Sequence, residues 1–77
     1  MTNDLFKTLQ DTYEKLRKSE KKVADYVMQQ QSAVVQMRIV DLAAAAAVSE
    51  PTVVRFCRAL GFDGFQDFKL TLAQSVA

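Results

Sequence analysis

The chain has 77 residues, of which 49% are hydrophobic and 25% charged, with ten Lys and Arg against nine Asp and Glu and no His. This mixture is apolar enough to fold, but so short a chain buries only about 60% of its unfolded surface, which allows one thin core and a single domain, residues 1–77. Without His, and with Cys57 as its one cysteine, the chain lacks the usual zinc sites, an internal disulfide and the commonest general base; no acid is paired with a nucleophile or a phosphate-cradling Gly loop, so neither an enzyme nor a cofactor is expected.

The net charge of +1 points to no polyanionic partner, so any such partner must be argued from where the charges stand. One Pro and two Gly leave little material for turns, and the abundant Ala, Leu, Lys, Gln and Glu favour helices, so an all-α bundle of five to six helices is expected. No apolar run reaches bilayer length, and the opening MTNDLFKTLQD has no basic-then-apolar layout of a signal peptide, which predicts a cytoplasmic protein.

Leu5, Phe6, Leu9, Tyr13 and Leu16 recur at helical spacing and predict a first helix. Ser19 is the expected N-cap of a second, with Glu20 in its first turn, Val23, Tyr26 and Val27 on its stripe, and an end near residues 29–31. Between them, KLRKSEKK (15–22) holds five positive charges beside Glu14 and Glu20 and reads as a solvated junction. Ser32 caps a short turn through Val35. A fourth helix is expected over Ile39 to Ala46 and a fifth over Ser49 to Leu60, closed by Gly61 in a left-handed conformation. Phe65, Phe68, Leu72 and Val76 mark a last helix from about Gly64.

LAAAAAVSEPTVVRFCRALGF (42–62) carries the functional signal. Helix propensity alone explains Ala44 and Ala45, but a helix-turn-helix unit needs small side chains where its two helices cross. Leu42 then anchors the core, Ala43 meets the second helix, and Val53 and Phe56 point inward. Ala47 occupies the turn, where Gly is often preferred. Ser49 is the expected N-cap of the fifth helix, taking the N–H of Thr52 because Pro51 has none.

On a helical wheel Val53, Phe56, Cys57 and Leu60 share one side, whereas Pro51, Val54, Arg55 and Arg58 occupy the other, with Thr52 and Ala59 at its flank. The second face carries two arginines and no acid. Arg55 and Arg58 can each read a guanine through its paired acceptors or clamp a phosphate; Val54 suits a thymine methyl. Glu50 opposes a simple phosphate site unless it faces away or accepts from a cytosine amino group. Thr52 is expected among the base contacts, and Ser49, Arg38 and Lys69 among the groups that fix the backbone. Cys57, next to Phe56 and Leu60, reads as a core thiol. The competing interpretation of the same face is a helical module that docks on another protein.

The string VSEPTVVRFCRALGFDGFQDFKLTL, with SEKKVADYV and LAAAAAVSE before it, resembles the N-terminal domain of RpiR-type bacterial transcription regulators, in particular their HexR-like branch, over essentially the whole chain. The resemblance implies a homeodomain-like helix-turn-helix domain that binds double-stranded DNA, with residues 49–60 as the recognition helix, in a regulator of sugar metabolism. It further implies a homodimer and a phosphosugar effector held by a separate sugar-isomerase-type domain that these residues do not contain.

Overall fold

The computed structural model describes residues 5–76 and shows six helices and no strand among them. They are α1 (Leu5–Tyr13), α2 (Lys18–Gln29), α3 (Gln31–Val35), α4 (Ile39–Ala46), α5 (Glu50–Ala59) and α6 (Phe65–Val76). The all-α bundle expected from the composition is the observed fold.

Each amphipathic stripe turns toward one centre. Leu9, Val23, Val27, Val34, Leu42, Val53, Phe56 and Phe68 are fully buried there, one or two from each helix. Phe56 and Phe68 meet edge to face at 5.6 Å, joining α5 to α6. The expected stripe of α6 is buried at Phe65, Phe68 and Leu72; the side chain of Val76 lies outside the described residues. In α1, Leu5 and Leu9 face the core while Phe6 stays exposed. That helix stops at Tyr13, and the amides of Lys15 and Leu16 bond to Thr12 O and Tyr13 O at 2.8 and 3.1 Å, a tight turn that swings Leu16 back into the core.

Two helix starts differ from expectation. Ser19 lies inside α2, and the cap is Arg17. The reason is Glu20, three residues on, whose Oε1 accepts the Arg17 N–H at 3.0 Å, the carboxylate half of a capping box that fixes Arg17 as the residue before the first turn. Likewise α3 begins at Gln31 rather than after Ser32.

The segment that places the site is α4, a left-handed turn, and α5. Small Ala43 and Ala46 are buried where α4 crosses α5, and α2 packs across both. Ala47 leaves α4 in the left-handed conformation, φ 61°, ψ 45°, and turns the chain toward α5.

Candidate nucleic-acid interface

The start of α5 is set by chemistry that the sequence announced. Ser49 is the cap, its Oγ accepts the Thr52 N–H at 3.3 Å, and Pro51 occupies the first turn. The helix ends in the arrangement expected of Gly61: its amide bonds to Arg58 O at 2.9 Å, that of Phe62 to Cys57 O at 3.1 Å, and its φ is +98°. Between these ends Val53, Phe56, Cys57 and Leu60 are buried, while Glu50, Pro51, Arg55, Arg58 and Ala59 are exposed and Val54 is half-buried. The wheel therefore assigned these residues to their faces correctly.

Thr52 is the exception. It is only 4% exposed, and its Oγ1 lies 3.0 Å from Ser49 Oγ and accepts Arg55 Nη2 at 3.1 Å. An expected base contact is thus turned inward, because at the flank of the wheel its hydroxyl finds two partners within the helix. Its position suits holding Arg55 in place.

Arg55 is half exposed, at 52% of its side chain, and its Nε stands 3.7 Å from Glu20 Oε2, a carboxylate that is only 7% exposed. No reading of the sequence singled out Glu20 for this site. The available signals were its spacing of three from Arg17 and the Thr52–Arg55 spacing of three, and neither points across from α2 to α5. Nη1 of Arg55 has no protein partner among the described residues. Arg58 extends from the other end of α5, where its Nε donates to Asp63 O at 3.3 Å. The two guanidiniums thus sit on the same exposed side, each steadied by one edge.

Arg38 and Lys69 belong to other elements, the head of α4 and the body of α6. Arg38 caps α4 with its side chain exposed, and its Nε is 3.3 Å from Asp41 Oδ2. The Arg38 backbone N–H and then its guanidinium hold the Asp41 carboxyl below its ordinary 3.8. Lys69 was expected at a phosphate. Instead its Nζ donates to the carbonyl of Met37 at 2.6 Å and lies over the Phe65 ring at 5.5 Å, which ties α6 to the α3–α4 connection. That carbonyl has no other partner in the connection, so a long cation on the facing helix is drawn to it.

The basic junction keeps Lys15, Arg17, Lys18 and Lys22 exposed, and Lys21 lies over the Tyr13 ring at 5.2 Å. Cys57 is buried against Phe56, and burial pushes its thiol up to about 12, so it is a packing residue. No helix is long and apolar enough to cross a membrane among the described residues.

A short, small-residue first helix, a left-handed turn and a capped second helix with a charged outer face define a helix-turn-helix domain. The helix-turn-helix domain of the rpiR family matches residues 3–77, and the chain belongs to that family. It is 45% identical over 74 residues to the transcriptional regulator HexR of Pseudomonas aeruginosa, covering 96% of this chain and 26% of that protein. Among solved structures, it is similar to Vibrio vulnificus NanR complexed with ManNAc-6P (TM-score 0.90, 38% identity, 94% of this chain and 28% of that one). It is similar also to the N-terminal domain of the Bacillus subtilis regulator ybbH (TM-score 0.85, 34% identity, 95% of this chain and 88% of that one). The chain thus spans about a quarter of the length of the HexR relative.

Proposed function

We propose that this chain is the sequence-specific DNA-binding domain of a transcription regulator of sugar metabolism, and that α5 enters the major groove of a duplex. The observation that carries this reading is the outer face of α5, where Arg55 and Arg58 project from a helix whose other side is locked in the core. A rigid helix of this kind is what groove reading requires, since base edges are met only when the donors are held in register. Arg58 is the leading base contact and Arg55 the second, with Val54 against a thymine methyl. Ser49, Glu50 and Pro51 stand at the end of α5 that leads into the groove; Arg38 approaches the phosphate backbone from the head of α4.

The wider reading follows the family. A homodimer would place two copies of α5 on half-sites about 34 Å apart. The effector is a phosphorylated sugar recognised by a further domain, a reading supported by the ManNAc-6P held by the NanR neighbour. The place of action is the cytoplasm.

Titrating the chain with random duplex at several salt concentrations tests the reading. Binding through n phosphates gives a loss of log affinity against log salt with slope of about −0.9n. Arg58→Ala weakens a preferred duplex more than a random one if Arg58 reads a base. A flat salt response, or no binding at low salt, assigns the α5 face to a protein partner instead.

A further inference from the structure

Glu20 is an acid in an unusual place, on the buried side of α2 with Val23, Ala24 and Val27. It is buried at the start of α2, and both of its oxygens are used, Oε1 by the Arg17 N–H at 3.0 Å and Oε2 by Arg55 Nε at 3.7 Å. Carboxylates are seldom buried unless paired, so its position depends on these two partners. Arg55 in turn is shared with Thr52 Oγ1, which touches Ser49 Oγ. One continuous polar chain therefore runs from the cap of α2 to the cap of α5, and the guanidinium that reaches solvent is its middle link.

We propose that Glu20 is a positioning residue of the DNA interface: with Thr52 it holds the inner edge of the Arg55 guanidinium, so that the outer end meets a duplex in one fixed orientation. The inference rests on the DNA-binding reading above. Its physical content is preorganisation. A free arginine has rotamer freedom that must be given up on reading a base, whereas a guanidinium already clamped along one edge has lost much of it in the folded protein. Glu20 also has an electrostatic consequence. A buried anion behind Arg55 lowers the general attraction of this face for phosphates while keeping the directed contact, which favours discrimination over bulk affinity.

The test uses the chain with a duplex that it selects from a random pool, and random duplex beside it. Glu20→Gln keeps an oxygen for the Arg17 amide, so the start of α2 is preserved, but it removes the charge that draws Arg55. Discrimination between the two duplexes should fall about tenfold, within the range for residues coupled in one network, with random duplex bound as well as before or better. Arg55→Lys, which leaves Glu20 and its cap bond untouched, should reproduce the loss. In an Arg55→Ala background Glu20→Gln should add nothing. Without DNA, the Arg55 Nε–H should exchange with water more slowly than that of solvent-exposed Arg17, and Glu20→Gln should bring the two together.

The proposal is overturned if Glu20→Gln weakens both duplexes alike, if its effect persists in the Arg55→Ala background, or if Arg55 exchanges as fast as Arg17. Those failures leave selection by the unaltered chain intact. A chain that selects no duplex at all defeats the DNA-binding reading, and the role of Glu20 with it.

Discussion

The amide of Val48 donates to the carbonyl of Ala43 at 2.9 Å, closing the elbow that aims α5. A second bond, from the Ala47 amide to Ala44 O at 3.2 Å, completes the motif, and both require Ala47 to take a left-handed backbone, φ 61°. Gly61 closes α5 in the same way. One of the two elbows is therefore made with the residue that suits it and the other with a residue that does not.

Ala47→Gly should stabilise the domain by about 0.5–1 kcal/mol. A left-handed alanine costs roughly 1–2 kcal/mol, part of which is offset because glycine frees the unfolded chain by about 0.4–1 kcal/mol. In a domain this small, the gain appears as a rise of a few degrees in Tm. The converse change, Gly61→Ala, should destabilise by a similar amount. A Cβ there meets nothing within 4 Å, so the cost is all in the backbone. A melting point that falls for Ala47→Gly would show that the turn is not held as described.

Lys69→Gln separates a structural tie from a phosphate contact. The ammonium bonded to Met37 O at 2.6 Å holds α6 against the α3–α4 connection, and a charged hydrogen bond contributes up to about 1.5–3 kcal/mol, less where water competes. Denaturant unfolding should show a loss of about 1 kcal/mol, while the salt slope of duplex binding stays unchanged. If Lys69 instead meets a phosphate, the slope should shrink by about 0.9.

Asp41 gives the cap of α4 a pH dependence. Its carboxyl accepts the Arg38 N–H at 3.0 Å and is held below its ordinary 3.8. A carboxyl depressed in the folded state adds stability that is fully present above its unfolded value and is lost as pH falls through its folded value. The first turn of α4 should therefore loosen only below about pH 4. A carboxyl-detected NMR titration should show Asp41 protonating below 3.8, and Arg38→Ala should move it up toward that value but not fully, since the backbone bond remains. Titration at or above 3.8 would contradict the cap.

What could be read in the sequence, and what could not, divides by the reach of the interactions. Ser49, Pro51 and Gly61 act within a few residues of themselves, so α5 begins and ends where local rules put it. The inward side of α5 follows from periodicity alone. The cap of α2 does not, because Glu20 chooses Arg17 over Ser19 and is itself held by Arg55 from another helix. A wheel gives the direction of a side chain but not the partner waiting for it on another element, here Glu20 of α2 beside Arg55 and the Met37 carbonyl facing Lys69. Contacts between helices were the illegible part.

The central claim is that the outward side of α5 distinguishes one duplex sequence from another, and selection of bound fragments from a random duplex pool by this chain tests it most directly. One recurring motif should be enriched, and repeating the selection with Arg58→Ala should blur that motif at one position while leaving the others. Recovery of the pool without enrichment, or the same motif sharp at every position after Arg58→Ala, would contradict the assignment of α5 as the reading helix and of Arg58 as its leading contact.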